Sequence, residues 1–169
     1  MTPMEKFGPN GVDMAPEPLY AEAQASLAHS TAGSQTRASS ERHAACSCGQ
    51  LRLRVSGDPV RVSICHCLAC QRRTGSAFGF QARFRADRVE VTGRSREFLR
   101  ASDEGENRTF RFCPECGATV FYTTAGAPEL IAIPIGAFAD PDFPAPAFSV
   151  WERRMHVWVQ APQDSHRSP

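Results

Sequence analysis

Seven cysteines fall into three short clusters, and no other feature constrains the chain as tightly. Cys46 and Cys48 form C-x-C, Cys65, Cys67 and Cys70 form C-x-C-x-x-C, and Cys113 and Cys116 form C-x-x-C. Thiolates this close together are most simply explained by shared metal ions. An odd count in a chain of 169 residues does not suit a secreted disulfide scaffold. A disulfide across C-x-C would also close a small, strained ring.

The outer four cysteines read as one site. Cys46 and Cys48 lie far in sequence from Cys113 and Cys116, and each pair sits on its own turn. Four thiolates make a closed tetrahedral zinc site, which ties the start of a domain to its middle. The alternative is two unrelated buried thiols and one knuckle. Cys113-Pro114-Glu115-Cys116-Gly117 has the knuckle pattern, with a glycine that permits the positive φ such a turn needs.

Cys65, Cys67 and Cys70 then remain. A zinc on three protein thiolates keeps one position free for water, hydroxide or an incoming thiolate, which is how a zinc site becomes catalytic. Arg72 and Arg73 follow directly, as balance for thiolate charge, as holders of a substrate carboxylate, or as solvated surface arginines. His66 stands between two ligands and should project away from the metal. His43 and His156 are weak candidates for a fourth ligand or a proton carrier. An iron–sulfur cluster is disfavoured, because it normally takes four cysteines at wider spacings.

The remaining composition narrows the function class. Hydrophobic residues make up 41%, so the chain contains a globular part. Net charge is +1, from 19 basic and 18 acidic residues. That balance supplies no field for steering nucleic acid or an anionic membrane. No apolar run approaches the roughly 20 residues that span a bilayer, and no signal peptide is evident at the N-terminus. A cytoplasmic location is the default expectation. The oligomeric state is not legible.

Residues 1–42 are proline-interrupted, then rich in Ser, Thr, Ala and Gly, and read as a disordered leader with a short helix at most around Leu19–Ala28. The folded domain is expected over 43–161, with a polar tail over 162–169. Leu51, Leu53 and Val55 alternate with Arg52 and Arg54, the pattern of a half-buried strand. Further strands are expected at Val60–Ile64, Phe78–Phe84, Arg88–Val91, Thr119–Thr123 and Leu130–Ile135. Glu97–Arg100 and Thr109–Phe112 read as a pair around the loop Ser102–Asn107. Gln71–Gly75 reads as one helical turn. Phe148–Trp151 and His156–Val159 should close the domain. Phe78, Phe80, Phe84, Phe110, Phe112 and Phe121 should fill the core, and Trp151 and Trp158 should pack there or at its rim. The fold class is mainly β, with antiparallel sheets and one or two short helical turns.

Several of these motifs occur together in order. C-S-C-G at 46–49, C-H-C-L-A-C-Q-R-R-T-G at 65–75, F-C-P-E-C-G at 112–117 and the G-x-x-x-D-P segment within Ile135–Pro141 resemble the glutathione-dependent formaldehyde-activating enzyme family, also called the centromere protein V domain. The resemblance covers roughly residues 43–160. It implies a zinc-stapled fold of the Mss4-like, tent-shaped kind. It also implies two zinc ions per chain: a structural one on Cys46, Cys48, Cys113 and Cys116, and a catalytic one on Cys65, Cys67 and Cys70. The implied activity is condensation of glutathione with formaldehyde, a carbon–sulfur lyase reaction in reverse, with a glutathione-like thiol and an aldehyde as substrates.

Two rival readings stay open. A zinc-stapled module that serves only to bind would present Arg72, Arg73, Arg83, Arg85 and Arg88 as a basic patch. A methionine sulfoxide reductase-like enzyme would need a nucleophilic cysteine outside both metal clusters.

Overall fold

The computed structural model describes residues 41–101 and 106–169. The chain divides into two units, Met1–Thr36 and Arg37–Pro169, and the described residues belong to the second. The expected leader therefore lies outside the described residues, except that Glu41 and Arg42 open the first strand. Most of the expected loop Ser102–Asn107 also lies outside them.

The architecture is mainly β, with eleven strands and one α-helix among the described residues. Strands β1 (Glu41–Ala45), β2 (Arg52–Ser56) and β5 (Val89–Thr92) form a three-stranded antiparallel sheet in the order β1-β2-β5. The alternation read in β2 has a physical cause. Leu53 and Val55 are buried, while Arg54 on the outer face reaches Glu90 of β5 at 2.6 Å and Glu41 of β1 at 3.2 Å. These exposed ion pairs contribute little stability. The buried leucine and valine contribute about 1.5–3 kcal/mol each.

The second sheet has eight strands in the order β11-β10-β3-β4-β9-β8-β7-β6. Its members are β3 (Arg61–Cys65), β4 (Gly79–Arg85), β6 (Arg96–Ala101), β7 (Asn107–Phe112), β8 (Thr119–Thr124), β9 (Ala127–Pro134), β10 (Phe148–Val150) and β11 (His166–Arg167). One face of this sheet joins the three-stranded sheet in the main core. Val62, Ala82, Phe84 and Ile133 from the large sheet cluster with Ala44, Leu53 and Val55 from the small one. The register shift between β7 and β8 sets Arg111 opposite Phe121 and Phe112 opposite Thr119, leaving Val120 extra. That bulge places both Val120 and Phe121 in the core.

The opposite face of the large sheet is built differently. Register carries a row across it: Arg83 opposite Ala132, Ala132 opposite Tyr122, Tyr122 opposite Phe110. Side chains one pleat apart share that face, so Ser63, Cys65, Gly79 and Gln81 lie on it too. Phe110, Tyr122 and Ala132 form a small separate apolar cluster there. Helix α1 (Leu68–Thr74) lies over this face, with Cys70 Cβ 3.1 Å from where a Cβ on Gly79 would stand.

The sheets are rich in antiparallel pairings, as expected, with two parallel ones: β10 runs parallel to β3 and β11 parallel to β10. Three other expectations are corrected. Residues 162–169 are not a tail. The N–H of His166 donates to Ala147 O at 2.8 Å and that of Ser168 to Ser149 O at 2.8 Å, which stitches a polar sequence into the sheet through its backbone. The segment His156–Val159 closes the domain only through Val159, which is buried, whereas Val157 is fully exposed. Trp158 is 70% exposed, so it is not core. No helix among the described residues is long and apolar enough to cross a membrane.

Candidate metal centres

Two turns of similar shape bring the outer cysteines together. Cys46 N donates to Leu51 O at 2.9 Å and Gly49 N to Cys46 O at 2.9 Å. Cys113 N donates to Ala118 O at 3.0 Å and Gly117 N to Cys113 O at 2.9 Å. Gly49 and Gly117 have φ of +75° and +73°, a conformation that costs glycine least. These turns aim backbone N–H groups at sulfur: Leu51 N lies 3.3 Å from Cys46 Sγ and Glu115 N 3.4 Å from Cys113 Sγ.

The four Sγ atoms lie within 4.8 Å of one another. Cys46 and Cys48 are 3.5 Å apart, Cys48 and Cys113 3.7 Å. Sulfurs bound at about 2.3 Å around a tetrahedral ion are about 3.8 Å apart, so the donor set fits a metal. All seven thiols are free, and all seven belong to the two clusters. No thiol is left for the reductase reading.

Gln50 is a residue that spacing arguments do not reveal. Its Nε2 donates to Cys113 Sγ at 3.0 Å and to Arg94 O at 2.7 Å, and its Oε1 accepts from Arg94 N at 3.0 Å. Burial works against a Cys113 thiolate, but the Gln50 amide and the N–H groups of Cys116 and Glu115 outweigh it and hold the thiol at about 6. Gln50→Ala is expected to weaken metal binding at the outer cluster about 10- to 100-fold, measured by competition with a chelating dye. Unchanged affinity would assign Gln50 only to the Arg94 turn.

The inner cluster is assembled where a strand meets a helix. Cys65 ends β3 and is buried, Cys67 caps the N-terminus of α1, and Cys70 lies in its first turn. Cys70 N donates to Cys67 Sγ at 3.3 Å, so the ligand thiol performs the capping that Ser or Asp performs elsewhere. Gln71 Nε2 then ties the helix to His66 O at 2.8 Å and to Arg154 O at 3.0 Å.

The three inner Sγ atoms also lie within 4.8 Å of one another, and no fourth His, Cys, Asp or Glu joins them among the described residues. Cys67 is driven down to about 2 by hydrogen bonds from the Cys65 and Cys70 thiols, aided by the Cys70 N–H and the charge of Arg100. Cys65 is pushed up by sharing hydrogen bonds with Cys67 and Cys70, and by burial. Cys70 is also raised: its bond with Cys65 lowers it, but the Cys67 thiolate and burial prevail.

The expected accessory residues separate on inspection. His66 is fully buried, with Nε2 3.1 Å from Ser149 Oγ and its ring edge-on to Phe78. His156 Nε2 is 3.1 Å from Gln71 Oε1, and exposed His43 pairs with Glu41 at 3.1 Å on the small sheet. Arg72 and Arg73 also part company. Arg72 is exposed, whereas Arg73 turns inward over Phe110 and Tyr122, its Cζ 5.4 Å and 5.6 Å from their ring centroids. Of the other arginines in the expected basic patch, Arg83 donates to Ser63 Oγ at 3.1 Å and Arg85 pairs with Asp87 at 3.2 Å.

Gly79 matters for close approach. A Cβ there would stand 3.1 Å from Cys70 Cβ, 3.2 Å from Arg73 Nη2 and 3.3 Å from Gln81 Oε1. Arg73 and Gln81 can swing aside, but the Cys70 Cβ is fixed by the helix. Gly79→Ala is expected to cost about 1–3 kcal/mol and to lower metal occupancy at the inner cluster while sparing the outer one. Equal loss at both clusters, followed by metal analysis, would contradict this local account.

Residues 41–159 match the family described as glutathione-dependent formaldehyde-activating enzyme. The chain belongs to that family. The match spans both cysteine clusters, the helix α1 and the sheets that position them. Among solved structures, a crystal structure of a Rhodobacter sphaeroides protein is similar, with 18% identity, a TM-score of 0.47, and coverage of 59% of this chain and 91% of that one. No curated protein sequence matches the chain.

Proposed function

We propose that this member of the glutathione-dependent formaldehyde-activating enzyme family is a zinc-dependent carbon–sulfur lyase acting on a thiol–aldehyde adduct. One observation carries the reading: Cys65, Cys67 and Cys70 converge as three ligands with no fourth protein ligand among the described residues. The outer four cysteines supply a complete set and suit a structural zinc. The family description supports glutathione and formaldehyde as the substrate pair.

A zinc ion held by the inner three thiolates would supply a Lewis acid and lower the pKa of a substrate thiol. The chain's own residues do the rest. The Cys70 N–H fixes Cys67 at the helix cap, and the sheet backbone fixes Cys65. Arg73 and Arg100 offset the excess negative charge of three thiolates, since their fields favour ionised Cys70 and Cys67. Beside the cluster, Arg73 lies against Cys70 and over the Phe110 and Tyr122 rings of the sheet. A thiol and an aldehyde held together there gain from proximity. In the condensation, the substrate thiol gives up its proton, its sulfur bonds to the carbonyl carbon, the C=O π bond breaks, and the oxygen takes a proton, so that none is gained or lost overall. The lyase direction reverses each change.

The test is formaldehyde consumption by the zinc-loaded protein with glutathione, compared with the spontaneous reaction. A rate above the spontaneous one that depends on both substrates is expected. A rate equal to the spontaneous one, with both clusters loaded, would overturn the assignment.

A further inference from the structure

The arginines over the aromatic cluster carry an unmet hydrogen-bonding demand. Arg73 Nε and Nη2 are both buried with no hydrogen-bond partner, and so is Arg100 Nε. Nε and Nη2 are the two N–H groups along one edge of a guanidinium, and their parallel N–H bonds match the two oxygens of a carboxylate. A buried donor left without an acceptor is unfavourable, so such a pair calls for a partner. Among the described residues no carboxylate pairs with Arg73 or Arg100.

Both guanidiniums address the same ring. Arg73 Cζ lies 5.4 Å and Arg100 Cζ 5.1 Å from the centre of Phe110. Phe110 packs on Tyr122 with ring centroids 4.9 Å apart, which makes a firm floor. The thiol cluster is adjacent: the position a Cβ on Gly79 would take is 3.1 Å from Cys70 Cβ and 3.2 Å from Arg73 Nη2. Gln81 Oε1, 3.3 Å from that same point, is also buried without a partner and offers an acceptor to a ligand N–H.

We propose that Arg73 and Arg100 hold the carboxylate of a thiol substrate over the Phe110 ring, placing its sulfur at the inner cysteine cluster. This rests on the thiol–aldehyde reading above and narrows its substrate to thiols that carry a carboxylate. Arg73 provides the two-toothed contact from the helix. Arg100 closes the site from β6, the edge strand of the large sheet, where it is half-exposed and able to swing aside. Arg72, which is exposed, takes no part.

The test uses the zinc-loaded protein and a ligand whose sulfur is blocked, S-methylglutathione, against its diethyl ester, by calorimetry. The acid should bind wild type in preference to the ester. Arg100→Ala should weaken binding of the acid about 10-fold, and Arg73→Lys about 10- to 100-fold, because lysine keeps the charge but loses the paired N–H geometry. The ester should not distinguish the three proteins. Equal binding of the acid to all three, or no binding to wild type, would overturn the proposal. Turnover with glutathione is measured in parallel. Intact turnover with undiscriminating binding removes the arginine site and leaves the reaction standing. Discriminating binding without turnover keeps the arginine site and removes the reaction.

Discussion

Cys113→Ser is expected to leave no folded domain. Cys113 has no exposed surface, lies in the main core, and joins the second ligand turn to the first through Cys48 at 3.7 Å. A structural zinc contributes about 10–16 kcal/mol, against a total stability of about 5–15 kcal/mol for an ordinary domain. Loss of this metal is therefore larger than the margin that keeps the chain folded. Buried serine in place of cysteine destabilises on its own account, so Cys113→Ser does not isolate the metal. Cys116→Ser does, because Cys116 is exposed and packs little. Both variants should lose the cooperative thermal transition seen by circular dichroism, and chelation of the wild type should reproduce the loss. A well-folded Cys116→Ser protein would mean that the outer cluster does not staple the fold.

Cys67→Ser is expected to behave in the opposite way: the fold survives and the chemistry stops. Cys67 is half-buried at the tip of α1, outside both apolar clusters. A serine hydroxyl can still accept the Cys70 N–H, so the helix cap persists. The third thiolate does not persist, and a two-thiolate site holds zinc poorly. Metal content should fall from two ions to one per chain, with little change in melting temperature. Turnover should drop at least about 100-fold, the lower end of what loss of a principal catalytic group costs. Retention of both ions with unchanged turnover would remove the reaction from this cluster.

The contrast between the two clusters was legible in the sequence, because metal ligation is a local spacing problem. C-x-C and C-x-x-C fix which thiols share a turn, and counting ligands separates a closed site from an open one. The alternation of Leu53 and Val55 with Arg52 and Arg54 was legible for the same local reason. What could not be read depends on pairing between distant segments. The strand Glu41–Ala45 is polar except at its alanines, and it is a strand because β2 offers it a backbone partner. His166 and Arg167 have no strand signal at all and are held by Ala147 and Ser149. The helix was read three residues short, at Gln71 instead of Leu68, because its start is capped by a cysteine, which carries no ordinary capping preference.

The same limit applies to the site. Gln50 is 63 residues from Cys113, and only the folded turn brings its amide to the sulfur. Arg72 and Arg73 look equivalent in sequence, yet a helix turns successive side chains about 100° apart, so one meets solvent and the other the aromatic floor. Arg100 lies far along the chain from Cys70 and reaches the site only through the register of β6 on β7 and β7 on β8.

The account stands on two metal ions with different jobs, and native mass spectrometry combined with a formaldehyde assay tests that most directly. The wild-type chain should carry two zinc ions and consume formaldehyde with glutathione. Gentle chelation should remove one ion first, with loss of turnover and retention of the folded charge-state distribution, and the second only with unfolding. A chain that carries one zinc ion at full turnover, or that loses its first ion and its fold together, would contradict it.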